Sequence, residues 1–366
     1  MPPIIDSHED LAWNILTFGR DYTQSVNQTR LLEKKSQAVM DNGEVLIGWP
    51  EWQQGQVAVV FATLHAAPSR CKEYSWESQI YFDGDYEAAY RLYQNQLGAY
   101  QRLVETNPDK FHLIPTLAEF EQVWTLWQEP VHSDVVRPLG MVLMIEGAEA
   151  IRSPDEAGEW WEAGVRIIGP AWTGTRYCGG TLEPGPLTKD GFALLDEMAA
   201  YGFVLDISHM DEQAALQALD TYEGVVIATH ANAAALLRGS ESNRHLKDHV
   251  ISGILERDGV IGVIPYNMFL KAGWKVGDPR NGITLNDVVN HIDYICQMAG
   301  DAQHVGIGSD FDGGFGLQSV PEDVDSIADL QKIAPILVDR GYGSDDLEAI
   351  FGQNWHNILI KSLPNS

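Results

Sequence analysis

Short hydrophobic runs rich in β-branched residues recur along the chain and alternate with stretches of helical periodicity. Runs of this length, bounded by polar or turn residues, are typical of strands buried on both faces, as in parallel sheets. Eight such alternations predict an α/β fold, a distorted (β/α)8 barrel with helical insertions. The predicted strands are residues 3–7, 57–64, 140–145, 165–169, 203–207, 225–229, 259–264 and 304–308.

Two helices are clearest from the pattern. In residues 187–201 apolar positions recur at helical spacing, and Gly202 follows as a C-cap. Residues 211–219 form a second helix, which begins at an aspartate.

Two long intervals have no place in the regular alternation. Residues 18–55 and 73–136 are predicted to be insertions that shape the pocket mouth or a subunit contact, with a minor strand near residues 111–115. No linker rich in Pro, Gly and Ser divides the chain. We therefore expect a single barrel domain over residues 1–366.

Composition narrows the possible functions. The 366 residues are 45% hydrophobic and 21% charged, as in a globular protein, and the formal charge is −28. Only 24 Lys and Arg oppose 52 Asp and Glu, which argues against a nucleic-acid groove or an anionic membrane surface. Three cysteines without a CxxC pair indicate reduced thiols, and no signal peptide or membrane span is evident, so we expect a cytoplasmic protein.

Histidines and carboxylates follow several of the predicted strands. In a barrel of this kind the chemical groups project from the C-terminal ends of the strands, where loops vary without disturbing the core. These signals therefore predict one shared site that looks like a two-metal hydrolase centre. The residues concerned are His8, Glu9, Asp10, Glu146, His209, His230 and Asp310.

The spacing of these residues suits metal ligands. His8 and Asp10 lie two apart on a strand and so point to the same side. His209 and His230 are separated by about one helix plus one strand, which places them at adjacent strand ends. Glu146 directly follows a run of apolar residues, and a bridging position between two cations would neutralise its buried charge. Mixed nitrogen and oxygen ligands suit catalytic zinc, with manganese or iron left open.

The segment GIGSDFDGG offers two carboxylates. Asp310 is the preferred candidate because it follows the apolar strand closely, and its carboxylate could serve as general base and general acid in amide hydrolysis. Asp312, next to Gly313 and Gly314, is interpreted as turn chemistry.

At this point the chain resembles the membrane dipeptidase (renal dipeptidase) family, dinuclear zinc peptidases among the amidohydrolase-like barrels. The resemblance covers nearly the whole chain in order, through the segments IIDSHEDL, IEG, GVRI, LDISH, THAN, NRHLKD, IPYN, GIGSDFDGG and GQNWHNIL. It implies a distorted barrel, commonly a homodimer, that binds two Zn²⁺ ions and cleaves dipeptides, often with a D-residue at the C-terminal position. Some members open β-lactams.

The resemblance also implies roles for residues. His8 and Asp10 would hold one zinc, Glu146 would bridge, His209 and His230 would hold the second, and Asp310 would be the acid/base residue. Arg244 would grip the substrate's terminal carboxylate, although His245 here follows it where the family usually has asparagine. Tyr266 falls at a substrate-contact position, with packing as an equal alternative. His291 matches a family helix and is interpreted as structural.

One departure affects the substrate pocket. Family members with dipeptidase activity carry a further histidine after the GVR strand that assists the tetrahedral oxyanion, and Trp172 stands at that place. Loss of one such donor costs on the order of 10²–10³ in turnover. His65, at the end of the second predicted strand, is one candidate for compensation, and Arg176 is another.

The leading hypothesis is a metallohydrolase that uses a zinc-activated hydroxide on a dipeptide or dipeptide-like amide. Arg244 favours a substrate with a free carboxylate, and Trp172 favours a changed acyl side. One alternative is an amidohydrolase acting on a non-peptide amide or lactam. Another is a metal-binding family member that has lost catalysis and binds a small ligand, against which the retained Asp310 argues.

Overall fold

Eight parallel strands form the centre of the molecule. The structure is a computed structural model that describes residues 2–74, 77–129 and 136–365. The barrel strands are β1 (Ile4–Glu9), β2 (Val57–His65), β3 (Leu139–Glu146), β4 (Val165–Gly169), β5 (Val204–Asp206), β6 (Val226–Ile227), β7 (Ile261–Val263) and β8 (Val305–Ile307). All eight predicted strands are confirmed, most of them within a residue or two at each end.

The strands close into a ring. Neighbouring strands pair in parallel in the order β6, β5, β4, β3, β2, β1, β8 and β7, and a parallel bridge between Ala228 and Ile261 joins the two ends. Along β2 and β3 the register is continuous, from Val59 opposite Gly140 to His65 opposite Glu146. The predicted (β/α)8 barrel is therefore confirmed, and its parallel strands bring their C-terminal ends to one face.

Hydrophobic residues on both faces hold the strands in place. Every residue of β2 is buried, which explains why its sequence VAVVFATLH shows no polar alternation. One set of alternate residues, including Phe61 and Met144, packs in a cluster with Trp355, while the intervening residues, such as Val60, pack in the larger cluster. The Trp355 indole donates to the carbonyl of Ile307 at 3.1 Å, so the C-terminal helix is fixed directly to β8.

Helices surround the barrel. In chain order they are α1 (Leu11–Phe18), α2 (Val26–Glu33), α3 (Gln37–Asn42), α4 (Trp49–Gly55), α5 (Tyr86–Thr106), α6 (Leu117–Gln128), α7 (Ala157–Glu162), α8 (Lys189–Tyr201), α9 (Glu212–Thr221), α10 (Asp248–Glu256), α11 (Leu285–Ala299), α12 (Ile333–Asp339), α13 (Ser344–Glu348) and α14 (Asn354–Ser362).

Both helices predicted from the pattern are present. Gly202 ends α8 in the left-handed conformation with φ 90°, as a C-cap should. The Asp211 side chain accepts a hydrogen bond from the backbone of Gln213 and so begins α9.

The predicted insertions fold as helices against the barrel. Residues 18–55 contain α2, α3 and α4, and residues 73–136 contain α5 and α6, with the minor strand at Phe111–Leu113. Within the second insertion, residues 75–76 and 130–135 lie outside the described residues. Among the described helices, none has both the length and the apolar composition needed to cross a bilayer.

Candidate active site

The candidate residues follow the barrel strands at a constant distance. From β4 to β8, the third residue after the end of each strand is in turn Trp172, His209, His230, Tyr266 and Asp310. His8 is the second-to-last residue of β1, and Glu146 is the last residue of β3. Because the strands are parallel and in register, these positions meet at one mouth of the barrel.

Glu146, His209 and His230 form the first part of the cluster. The Oε1 atom of Glu146 lies 3.1 Å from Nε2 of His209 and 3.2 Å from Nε2 of His230. The two Nε2 atoms are 3.0 Å apart. Three potential ligand atoms from three different strands therefore converge on one point.

The hydrogen bonds behind the two imidazoles assign their tautomers. Nδ1 of His209 lies 3.0 Å from the carbonyl oxygen of Trp172, which can only accept, so Nδ1 carries the proton. The Thr229 hydroxyl donates to Asp206 at 2.6 Å and therefore accepts from Nδ1 of His230 at 2.8 Å. Both Nε2 atoms thus present lone pairs to each other and to the Glu146 carboxylate. A cation shared by these three atoms would relieve the repulsion between them.

His8, Asp10 and Asp310 form the second part. Nε2 of His8 lies 3.7 Å from Oδ2 of Asp10, 3.7 Å from Oε1 of Glu146 and 3.8 Å from Oδ1 of Asp310. This buried nitrogen has no hydrogen-bond partner among the described residues. Separations near 3.7 Å are too long for hydrogen bonds and are compatible with ligands placed around a shared ion.

The electrostatics of the second part also favour a cation. Burial lowers the pKa of His8, but the carboxylates of Glu146, Asp10 and Asp310 outweigh burial and raise that pKa to about 10. A position at which an imidazole holds its proton so strongly is one where positive charge is stabilised. The donor set therefore fits bound metal ions, with His8, Asp10 and Glu146 in one candidate ligand group and Glu146, His209 and His230 in another.

Asp310 is placed to exchange a proton with a group in the cluster. Its backbone lies in the left-handed region at φ 55°, and its amide donates to the carbonyl of His8 at 3.1 Å. Burial raises the pKa of Asp310 well above its ordinary value, with His8 opposing that effect and Asp10 adding to it. The carboxylate can therefore hold a proton in a site that also contains His8.

Arg244 lies beside the cluster. Its Nη1 and Nη2 atoms donate to the carbonyls of Ser208 and His230, both at 2.7 Å, which fixes the guanidinium next to the strand ends. Its Nε atom is buried and has no partner among the described residues. The group thus retains donors for an anionic ligand.

Tyr266 and Trp172 form aromatic walls of the same mouth. The Tyr266 ring stacks on Phe315 at 4.2 Å, and burial raises the pKa of its hydroxyl, with Asp310 adding to the effect. The Trp172 ring lies 4.8 Å from the His65 ring and 6.4 Å from the His209 ring. Trp172 thus supports His209 through its backbone and borders the site with its indole.

His65 reaches the cluster from the end of β2. Its Nδ1 lies 3.3 Å from the carbonyl oxygen and 3.5 Å from Oε2 of Glu146. The amide of Gln96 on α5 accepts from the backbone N–H of His65 at 2.9 Å and donates to its carbonyl, which fixes the strand end. Arg176, the other candidate for compensation, instead stacks on the Tyr86 ring at 3.8 Å and donates to the carbonyl of Ile151.

Sequence reasoning missed the residues that support the ligands. Asp206, Ser208 and Thr229 form a buried hydrogen-bond network behind His230, and the polar residues of LDISH and ATH were its only sign in the sequence.

Asp312 does lie in a turn, with φ 63°, but its carboxylate is fully buried and pairs with Arg20 at 3.1 Å. The interpretation of Asp312 as turn chemistry alone was therefore incomplete, because its ion-pair partner lies far away in the chain. His291 accepts from the backbone of Ala233 at 3.2 Å, away from the cluster, as its structural interpretation requires.

Comparisons with known proteins agree with this geometry. The family model for membrane dipeptidases, peptidase family M19, matches residues 1–362. An uncharacterised protein from the pqqA 5′ region of Klebsiella pneumoniae is 32% identical over 231 residues, which are 60% of this chain and 81% of that protein. An uncharacterised dipeptidase from Schizosaccharomyces pombe is 25% identical over 361 residues, which are 96% of this chain and 79% of that protein.

A solved structure extends the comparison to the fold. A metallopeptidase from Rhodobacter sphaeroides, bound to a phosphinate mimic of the dipeptide L-Ala-D-Ala, superposes with a TM-score of 0.76 at 22% identity and covers 99% of both chains. The similarity to that structure shows the same barrel, and the family model spans the cluster together with nearly all of the chain. The chain therefore belongs to the membrane dipeptidase family, peptidase family M19, and is a metal-dependent hydrolase of the dipeptidase class.

Proposed function

We propose that the protein hydrolyses dipeptides with a free C-terminal carboxylate, using two Zn²⁺ ions. His8 and Asp10 would hold one ion, His209 and His230 would hold the other, and Glu146 would serve as a ligand to both. Asp310 is the acid/base residue, and Arg244, Tyr266 and Trp172 line the substrate pocket. Manganese and iron share parts of this ligand preference, and metal analysis distinguishes them.

The observation that carries the proposal is the convergence of three acceptor atoms. His209 and His230 have lone pairs on Nε2 because their Nδ1 atoms are bound from behind, and both face the same oxygen of Glu146. This arrangement has nitrogen and oxygen ligands in the proportion typical of catalytic zinc sites.

The metal ions and the protein side chains would contribute different parts of the hydrolysis reaction. When bound, divalent cations at this site would polarise the scissile carbonyl and lower the pKa of water. Asp310 accepts a proton at its carboxylate as the oxygen of water bonds to the carbonyl carbon. It then donates that proton to the leaving nitrogen as the C–N bond breaks, so that an amine and a carboxylic acid are released.

Arg244 accounts for the preference for a free carboxylate. Two of its five N–H groups are committed to backbone carbonyls, and the buried Nε–H is available. A planar guanidinium with unused donors suits a carboxylate. We therefore expect dipeptide amides to be cleaved far more slowly than the corresponding free dipeptides.

The test is hydrolysis of a panel of L,L- and L,D-dipeptides and their C-terminal amides by zinc-reconstituted protein. The panel includes L-Ala-D-Ala because the Rhodobacter sphaeroides relative binds a mimic of it. Asp310→Asn is the control, since it keeps the shape of the side chain and removes its basicity. Turnover of free dipeptides that is lost in the variant supports the proposal.

The opposite result separates the alternatives. Protein that binds two metals but cleaves no dipeptide would contradict the proposed substrate. The same panel extended to lactams and non-peptide amides would then test whether Trp172 has redirected the acyl side of the pocket.

The predicted homodimer and cytoplasmic location stay predictions. Sedimentation velocity on the zinc-loaded protein tests the first, with a single species of twice the mass of the 40.6 kDa chain as the expected result. Fractionation of the source cells tests the second.

A further inference from the structure

The loop after β8 carries two aspartates in strained backbone conformations. Asp310 has φ 55° and Asp312 has φ 63°, both in the left-handed region. Residues other than glycine occupy this region at an energetic cost, although aspartate tolerates it better than most. A loop with two such residues keeps its shape only if surrounding contacts hold it.

The contacts on Asp312 come from the segment after β1. Its carboxylate accepts hydrogen bonds from the Leu46 amide at 2.9 Å and the Tyr22 hydroxyl at 3.1 Å, and it pairs with Arg20 at 3.1 Å. Its backbone carbonyl accepts from Asn14 at 3.0 Å, and Asn42 donates to the same atom at 3.1 Å.

Arg20 is itself fixed. It is 4% exposed, and its other donors bind Glu33 at 3.0 Å, the Asn14 side chain at 3.0 Å and the carbonyl of Gly43 at 3.1 Å. The guanidinium therefore joins α1, α2 and the end of α3 to the Asp312 carboxylate. Loss of the Asp312 charge would leave the buried Arg20 with Glu33 as its remaining carboxylate partner.

Two contacts connect Asp312 to the reacting groups. A Cβ atom built on the neighbouring Gly313 would lie 2.0 Å from Oδ1 of Asp310 and 2.7 Å from Oδ2 of Asp10, so the two carboxylates rest directly on this glycine. Asn14 also donates to the backbone carbonyl of Asp10 at 2.9 Å. A shift at Asp312 must therefore move both Asp310 and Asp10.

We propose that Asp312, held by Arg20, is a positioning residue that keeps the Asp310 carboxylate in place for proton transfer. The inference rests on the proposed role of Asp310 as the acid/base residue. The inference also assigns a structural role to the insertion at residues 18–55. Four residues of that insertion contact Asp312 and hold the catalytic loop: Arg20, Tyr22, Asn42 and Leu46.

The first experiment measures kinetics of Asp312→Asn. Asparagine keeps the acceptor for Leu46 but loses the charge that pairs with Arg20. We expect kcat to fall on the order of 10–100-fold, as for a displacement of about 1 Å in a catalytic group. KM should stay near the wild-type value, because Arg244 lies after a different strand, and metal content is measured on the same samples because Asp10 also contacts Gly313.

A matched control separates positioning from loss of stability. Arg257 donates to the carbonyls of Leu219, Tyr222 and Gly224, just before β6 begins at the opposite end of the barrel. Arg257→Gln should lower the melting temperature and leave kcat unchanged. Assays are run at a temperature at which both variants are fully folded.

A crystal structure of Asp312→Asn decides the question independently of any substrate. The proposal requires a changed separation between Oδ1 of Asp310 and Nε2 of His8, which is 3.8 Å here. A loop in its original place, or wild-type kcat in a folded, metal-loaded variant, would overturn it. If the proposed role of Asp310 is itself wrong, the Asp310→Asn variant will keep full activity. That outcome is distinct from a failure of the proposal for Asp312.

Discussion

At the scale of single residues, the metal site depends on which nitrogen of each histidine carries a proton. Trp172 and Thr229 bind Nδ1 of His209 and His230, so both Nε2 atoms are free to act as ligands. Glu146 supplies the negative charge that these neutral imidazoles lack. Hydrogen bonds to the ring nitrogen that faces away from the metal orient a histidine ligand and raise its affinity for the ion.

Glu146→Gln should abolish stable binding of at least one metal ion. The neutral amide removes the shared charge and can turn an N–H toward the imidazoles. Loss of a residue that only hydrogen-bonds to a metal ligand lowers metal affinity about 10–100-fold. Loss of a bridging ligand should lower the affinity further. Metal content after gel filtration, measured by inductively coupled plasma mass spectrometry, checks this. Glu149→Gln, three residues farther on and outside the cluster, is the matched control and should retain wild-type metal content.

His65→Ala should lower kcat on the order of 10²-fold, as for the loss of one group that stabilises the transition state. The imidazole lies 3.5 Å from the Glu146 carboxylate and contacts Trp172, where the family histidine is absent. Steady-state kinetics with the best dipeptide measure the effect. His304→Ala, just before β8 at the other end of the barrel, is the control. Unchanged kinetics in His65→Ala would remove His65 from the reaction.

At the scale of elements, helices fix the ends of the strands. On α5, Gln96 binds both backbone polar groups of His65, while Tyr93 donates to the carbonyl of Glu146 at 2.8 Å. On α11, His291 accepts from the backbone of Ala233 in the loop after β6. The helices thus set the positions of the loop that carries His230 and of the end of β3, where Glu146 lies.

His291 should make stability depend on pH. Burial lowers its pKa to about 4 in the folded protein, against about 6.5 when unfolded. Between these values the unfolded chain binds more protons, so the free energy of unfolding falls as the pH falls from 6.5 to 4, by up to about 3 kcal/mol. Urea denaturation at several pH values measures this slope. His291→Gln should show a flatter slope than the wild-type protein.

At the scale of the whole molecule, the cluster concentrates negative charge in the barrel mouth of a strongly acidic protein. Asp10, Glu146 and Asp310 approach one another around His8, and the formal charge of the chain is −28. Bound divalent cations would relieve this repulsion and join loops from four strands. Metal binding is therefore expected to contribute to folding stability.

Removal of the metal should lower the melting temperature by about 5 °C or more. Each site filled at 100 times its Kd stabilises the fold by about 2.7 kcal/mol, and an unfolding entropy of about 2.1 cal/mol/K per residue makes each kcal/mol worth about 1.3 °C in a chain of 366 residues. Calorimetry before and after chelation, then after return of zinc, measures the shift. Glu146→Gln should show a smaller response. An unchanged Tm in protein verified to be metal-free would contradict the coupling.

The sequence by itself determined the strands and most of the candidate ligands. Each barrel strand is a contiguous hydrophobic run, so its signal is local, and a histidine or carboxylate just after such a run is visible without a structure. The predicted site residues His8, Asp10, Glu146, His209, His230 and Asp310 do meet in space.

Only the tertiary structure decided how those residues are held. Asp312 accepts a hydrogen bond from the backbone of Leu46, which is 266 positions away in the chain. The roles of Arg20, Gln96 and Thr229 cannot be predicted from the sequence around them, because their partners are also distant. The tautomers of the histidines and the left-handed backbone of Asp310 follow from such distant contacts. These features depend on which side chains meet after the barrel closes, and hydrophobic periodicity carries no information about those pairs.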